Sequence, residues 1–286
     1  MKINIVLIEP PNFEHSRVYE EIITLYYECI KDLGHEVIKS INIFKQDYLN
    51  IIIAYQFLEY FPQMSQLKYI VVQLEQLSFS GGWFDNKKDL FINRFIPLLK
   101  NALDIWDYSL ENVKFMNKYN LNSTLIPFGF HEIFKTIKHA DNKDIDVLFY
   151  GSTHQRRWDI IEKLREKCNV KSVMGIYGYE RGELISRSKV IINIHAYENL
   201  KILEQVRLFY LLSNKCFIIS ENSESNPYKD GFVTLSYSQL VERTIEWLKK
   251  DEERNKVALK GFDIVKSIDT KGLINSSLNK LKDFIN

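Results

Sequence analysis

Cysteine is scarce in this 286-residue chain: Cys29, Cys168 and Cys216 are odd in number and isolated from one another. No CxxC pair or Cys/His cluster at zinc-ligand spacing occurs, which argues against a structural zinc and against a disulfide framework. Such thiol usage predicts a reducing, cytoplasmic setting. An excess of one charge is also lacking, since 38 Lys and Arg meet 37 Asp and Glu, for a net charge of +1. That balance gives no chain-wide attraction to nucleic acid or an anionic bilayer, though it leaves room for a local basic pocket. Long apolar runs are missing too. Residues 3–8 (INIVLI) end at Pro10-Pro11, too short for a signal-peptide core or a bilayer span, and no later window approaches about 18 uninterrupted apolar residues. Neither a Walker A loop nor a GxGxxG fingerprint is found, so the P-loop and dinucleotide-binding readings lose their main support. No repeat of about 20–50 residues recurs, which disfavours a solenoid.

What is present suits two globular cores: 45% hydrophobic residues, 13% aromatic, and a length that fits two domains. The β-branched run 3–8 reads as a strand buried on both faces. A helix follows over 16–33, with Val18, Ile22, Leu25, Tyr26 and Cys29 on one face, Ser16 as N-cap and Gly34 as stop. Residues 35–43 restart as a strand, completing a β-α-β unit. Further strands are predicted at 51–54, 69–73, 102–106 and 123–127, with helices over 88–100 and 109–119, the latter capped by Ser109. The polar stretch 135–144 reads as a linker or domain edge. The pattern then begins again, with strands at 147–150, 170–173, 189–194, 216–220 and 232–235. Helices are predicted over 154–168, 179–187, 200–213, 237–249, 251–266 and 271–285. The expected fold is α/β, with two tandem Rossmann-like, doubly wound domains.

Ligands of such sheets bind beyond the carboxyl ends of the strands, so the loops there carry the candidates. In DVLFYGSTHQRRWDII (146–161), Gly151 and Ser152 lead into a helix whose first turn holds Arg156 and Arg157. Free amides, a glycine that admits close approach and two guanidiniums suit a diphosphate, and those arginines oppose the helix dipole unless an anion sits there. The plainer reading is an ordinary tight turn before a basic helix start. Tyr177 and Gly178 precede the next helix and could line a nucleobase pocket, or simply make a turn. His195 lies just past a strand. Glu204, near a helix start, could accept a ribose diol, against the simpler reading of an i,i+3 surface pair with Arg207. On the first domain, EPPNFEHSR (9–17) offers Glu9, Glu14, His15 and Arg17. His15 is a candidate general base, with Glu75 and Asp107 as alternatives. Asp144-Ile145-Asp146 is formally a DxD metal motif, but it precedes its strand and is rejected as a metal site.

Taken as an ordered set, DVLFYGSTHQRR, YGYERGELISRSKVIINIH and ILEQVRLFYLLSNKCFIISE resemble the nucleotide-sugar half of bacterial and phage GT-B glycosyltransferases. VVQLEQL, IWDYSLEN and IPFGF resemble the end of the acceptor half. The resemblance implies an acceptor-side domain over 1–130, a donor domain over 131–270, and a final helix over 271–286 that crosses back to the first. It puts Gly151, Ser152, Arg156 and Arg157 around the diphosphate, Tyr177 and Gly178 near the base and Glu204 near the ribose. One departure is that Glu198 and Glu204 are six apart, where retaining relatives carry a Glu-x7-Glu pair. The expected reaction is metal-independent transfer, without a cofactor, of a sugar from a nucleoside-diphosphate sugar such as a UDP-sugar. The acceptor is a hydroxyl on a glycan, protein, lipid-linked sugar or modified DNA base. The competing readings are an inactive nucleotide-binding or scaffold subunit and a sugar-nucleotide epimerase.

Overall fold

Runs dense in isoleucine and valine build the first of two parallel sheets. The computed structural model describes residues 1–58, 66–200 and 202–285. It divides into two units, Met1–Phe128 with Asp269–Asn286, and Gly129–Ile268. In the first unit β1 (Lys2–Leu7), β2 (Glu36–Ile41), β3 (Leu49–Ile53), β4 (Tyr69–Gln73), β5 (Asp104–Asp107) and β6 (Thr124–Leu125) are all parallel. Their order is β2-β1-β3-β4-β5-β6. β3 and β4 are buried along their whole length, as a sheet covered on both faces requires. Helix α1 (Glu20–Asp32) buries Ile22, Leu25, Tyr26, Cys29 and Ile30, and Gly34 ends it with φ +81°. Ser16 does not cap this helix. It lies inside a 3-10 turn (Glu14–Tyr19), where its hydroxyl binds Glu9 and the Phe13 carbonyl, so the N-cap of α1 falls at Tyr19, three residues later than the cap pattern predicts. The helix predicted over 88–100 appears as α2 (Lys88–Leu90) and α3 (Ile96–Asn101), joined by a π turn at Phe91–Phe95. Pro97, which has no N–H to donate, enters in the next turn. Helix α4 (Leu110–Asn117) follows β5, and the Ser109 hydroxyl caps it by accepting from the Asn112 amide at 3.3 Å.

The second unit holds β7 (Ile145–Tyr150), β8 (Val170–Val173), β9 (Ser188–Asn193), β10 (Ile218–Glu221) and β11 (Val233–Leu235). They run parallel in the order β11-β10-β9-β7-β8. Its helices are α5 (Gln155–Arg165), α6 (Gly178–Ser186), α7 (Gln205–Ser213), α8 (Leu240–Trp247) and α9 (Asp251–Ser267). α5 packs on α8 and α7 on α9. Val147, Phe149, Val190, Ile192 and Ile219 of the strands meet Ile160, Ile161 and Leu164 of α5 and Leu240 of α8 in one core. The helix expected over 200–213 begins only at Gln205. Leu200, Ile202 and Leu203 are buried from an irregular loop, and Lys201 lies outside the described residues.

The remaining helices, α10 (Thr270–Lys280) and α11 (Lys282–Ile285), belong to the first unit; Asn286 lies outside the described residues. α10 packs on α1, and its Ser277 hydroxyl joins the Trp106 indole N–H at 2.8 Å to the Asp104 carboxylate at 2.5 Å. Thr270 donates to the Pro127 carbonyl at 2.7 Å. Among the described residues no helix is long and apolar enough to cross a membrane.

Candidate functional site

The strand order sets where a ligand can enter the second unit. From β7 the chain crosses to β8 on one side, and later elements extend from β9 on the other, so the crossovers diverge at the β7/β9 boundary. At such a switch point the loops part and leave a crevice at the carboxyl ends of the strands. Three loops meet there, after β7, β9 and β10.

The loop after β7 begins at Gly151, with φ +141°. The dihedral favours glycine, and a Cβ built there would stand 2.6 Å from Nη2 of Arg207, so any larger residue would also have to displace that guanidinium. The amides of Ser152, Thr153 and Gln155, leading into α5, have no acceptor among the described residues. Free amides of this kind are the anion-binding feature of a helix start. Arg156 and Arg157 occupy the first turn of α5. Arg157 is buried on the core face, because 157, 160, 161 and 164 share one helical stripe, a signal already present in the sequence. It donates from Nε to the Ile194 carbonyl at 2.8 Å, and from Nη1 to the Ser152 carbonyl and hydroxyl at 3.0 and 2.9 Å. Arg156 donates to Glu221 with both terminal nitrogens, one of them at 2.6 Å, and to the His195 carbonyl at 3.1 Å. Its guanidinium lies over the Tyr237 ring, 3.9 Å from the centroid.

The loops after β9 and β10 supply the acceptors. Glu204, at the start of α7, takes Asn193 Nδ2 on Oε2 at 2.8 Å and faces His195 Nδ1 with Oε1 at 3.1 Å. Arg157 lies 3.7 Å from the same Oε1. Arg207 does not pair with Glu204 along the helix surface; its guanidinium turns to Asn193 Oδ1 at 2.8 Å and lies over the Tyr150 ring at 5.1 Å. Three guanidiniums thus converge on two carboxylates, leaving the site cationic. Burial pushes the Arg157 guanidinium down to about 10, helped by Arg207 and opposed by Glu204. Burial also works against ionisation of Glu204, but the bond and charge of His195, the charge of Arg207 and the Asn193 bond hold its carboxyl at about 2. Glu221, the partner of Arg156, ends the buried run CFIIS and obeys the same rule of strand carboxyl ends, yet sequence reasoning missed it.

The remaining candidates sit nearby or on the first unit. Tyr177 is the N-cap residue of α6 and half-buried, and Gly178 opens that helix with φ +55°. The loop follows β8, the sheet neighbour of β7. On the first unit, His15 is exposed on the 3-10 turn, edge-on to Phe13 at 5.6 Å. Glu75 follows β4 and is half-buried, with Oε1 accepting from the Tyr19 hydroxyl at 3.2 Å and Gln56 Nε2 at 2.9 Å. Its Oε2 has no hydrogen-bond donor among the described residues, and burial raises its pKa although the Tyr19 bond and Lys87 oppose the shift. Asp107 is 1% exposed, and its Oδ1 accepts from the Ser109 amide at 2.7 Å and Asn112 Nδ2 at 3.3 Å. Burial lifts its pKa well above the carboxylate range. Asn112 Nδ2 also donates to the Glu75 carbonyl at 2.9 Å, so Asp107 acts as the brace of the turn that carries Glu75. Asp144 and Asp146 diverge: the first binds Arg187, with Nε at 2.8 Å, and the second Lys189 at 2.7 Å, at the amino end of β7.

Residues 131–269 match the family model described as glycosyl transferase-like. An uncharacterised protein of Acanthamoeba polyphaga mimivirus is 29% identical over 216 residues, covering 72% of this chain and 71% of that protein. A second protein of that virus is 28% identical over 176 residues, and the match spans only 24% of its own length. Among solved structures, sucrose-phosphate synthase from Thermosynechococcus elongatus superposes with a TM-score of 0.69 at 10% identity, covering 99% of this chain and all of that one. BGT of T4 phage, in complex with its UDP-glucose substrate, superposes with a TM-score of 0.58 at 13% identity over the full length of both. The two parallel α/β sheets are those of the GT-B fold. Residues 131–269 are thus similar to that glycosyl transferase-like family, and the chain shares the fold of these solved structures.

Proposed function

We propose that the protein transfers a sugar from a nucleoside-diphosphate sugar to a hydroxyl acceptor without a metal ion, with the donor at the carboxyl ends of β7, β9 and β10. The observation that carries this reading is the convergence of Arg156, Arg157 and Arg207 on the Gly151 loop and the open amides before α5. The leaving diphosphate gains negative charge in the transition state, and preorganised guanidiniums and amides stabilise it where a metal would otherwise serve. Gly151 and Ser152 admit the diphosphate. Tyr177 and Gly178 border the base. Glu204, ionised and with lone pairs to spare, accepts the ribose diol. The full-length fold shared with T4 phage BGT, crystallised with UDP-glucose, supports a UDP-sugar as donor.

The general base is assigned to Glu75, in preference to His15 and Asp107. One of its oxygens is fixed by Tyr19 and Gln56, the other has no hydrogen-bond donor among the described residues, and its raised pKa brings it nearer the pH at which it must accept a proton. Asp107 Oδ2 also lacks a hydrogen-bond partner among the described residues, but at 1% exposure that carboxyl is closed off from an acceptor. The test is calorimetry with UDP and GDP, followed by nucleotide release from a panel of sugar nucleotides. Arg156→Ala combined with Arg157→Ala should abolish nucleotide binding. Glu75→Gln should leave binding intact and slow turnover by about a hundredfold or more. Wild-type affinity retained by the double variant would overturn the donor site, and undiminished turnover by Glu75→Gln would overturn the base.

A further inference from the structure

His195 stands just past β9 with 1% of its surface exposed, and each ring nitrogen faces an oxygen. Nδ1 lies 3.1 Å from Glu204 Oε1, and Nε2 lies 3.0 Å from the Asn222 carbonyl oxygen. A neutral imidazole carries one N–H and one lone pair, so in either tautomer one nitrogen would aim its lone pair at an acceptor. A carbonyl never donates, and the Glu204 carboxyl is ionised. Only the imidazolium satisfies both contacts. One alternative is built in: the Ser223 hydroxyl, 3.3 Å from Nε2, could donate to a neutral ring.

The charged groups around the ring come from every neighbouring element. Glu204 belongs to the start of α7, and Glu221, ending β10, accepts the His195 backbone N–H on Oε2 at 3.2 Å. From α5, Arg156 takes the His195 carbonyl and Arg157 the Ile194 carbonyl, while Arg207 of α7 holds Asn193. Burial works to strip the ring of its proton, but the Glu204 bond and charge, the Asn222 carbonyl and Glu221 outweigh it and raise the pKa.

We infer that His195 is a positioning residue, a buried imidazolium that ties the Glu204 carboxylate to the loop after β10 and keeps it oriented toward the sugar diol of the donor. This rests on the donor-site reading above. Loss of the proton turns Nε2 from donor to acceptor, breaks the Asn222 contact and favours Ser223. The shift moves the residues next to Glu221, and with them its hold on Arg156. UDP affinity therefore falls as pH rises through the His195 pKa.

Nitrogen NMR of the ring in the full chain should find both His195 nitrogens protonated at pH 7, and a bare Nε2 at that pH overturns the assignment. UDP calorimetry across pH 6 to 9 should weaken by about tenfold through the same transition, the scale of one lost charge-assisted hydrogen bond. His195→Gln should bind weakly with a flat pH profile, whereas a fold-only role would leave the wild-type pH slope in place. If that variant does not fold, Glu204→Gln serves instead: the ring pKa should drop toward the unperturbed value of about 6.5, and an unmoved pKa refutes the coupling. UDP failing to bind the wild type at any pH would remove the donor reading and the diol role with it, while the ring nitrogens still decide whether His195 is an imidazolium.

Discussion

Replacing Gly151 with alanine tests the tightest point of the donor loop. Two effects add. The dihedral of +141° is one that a residue with a Cβ rarely adopts, and holding it costs about 1–3 kcal/mol. The new methyl would sit 2.6 Å from Nη2 of Arg207. That atom ends a flexible side chain and can retreat, but only by loosening the 2.8 Å bond to Asn193 Oδ1, worth roughly 1 kcal/mol for a partly exposed charge-assisted contact. The expected loss is therefore about 2–4 kcal/mol for the second unit. Gly182 is the matched control: it lies inside α6 with nothing within 4 Å of its added Cβ, so alanine there should stabilise by up to about 1 kcal/mol. Urea unfolding followed by tryptophan fluorescence reads both, with Trp158 and Trp247 as reporters in this unit. Calorimetry with UDP adds the functional arm, where Gly151→Ala should bind at least about tenfold more weakly and Gly182→Ala like the wild type. Equal stability of the two variants would refute the strain argument, and equal affinity would refute a ligand at this loop.

Two other substitutions probe packing and charge. Gly261 lies inside α9, where alanine is normally the better helix former, yet a Cβ there would meet the Gly231 carbonyl oxygen at 2.3 Å and Leu212 Cδ2 at 2.7 Å. Gly261→Ala should destabilise by about 1–3 kcal/mol, the cost of overpacking, and a rise in thermal midpoint would contradict the close approach. Asp107 has a folded pKa raised above its unfolded one, so its contribution to stability is full below about pH 4 and is lost as pH rises through the folded value. Asp107→Asn mimics the protonated acid, and should remove that decline and match or exceed the wild type at pH 8. A steeper alkaline loss in the variant than in the wild type would count against a neutral Asp107.

The strands were legible because continuous β-branched runs such as INIVLI and LNIII can only be buried on both faces, and the Gly34 stop and Ser109 cap followed from local chemistry. The α7 boundary was not. Leu200, Ile202 and Leu203 look like a helical face but are buried from a loop, since burial satisfies an apolar side chain in any backbone conformation. Arg156 and Arg157 stood out by their place after a strand and a glycine. Their partners did not, because Glu221 is 65 residues from Arg156 and only the parallel pairing of β9 with β10 brings it to His195. Ser16 misled for a local reason: its hydroxyl had Glu9 and the Phe13 carbonyl within reach, and the tighter turn won.

The first unit is assembled from both flanks of the second. Residues 129–268 form a contiguous stretch that is complete once it leaves the ribosome, whereas Ser277, which bonds both the Trp106 indole and the Asp104 carboxylate, is made only afterwards. During synthesis the later-encoded half can therefore finish first. The earlier half stays open along α1 until residues 269–286 arrive to close it, and in that interval it is the more exposed to misassembly.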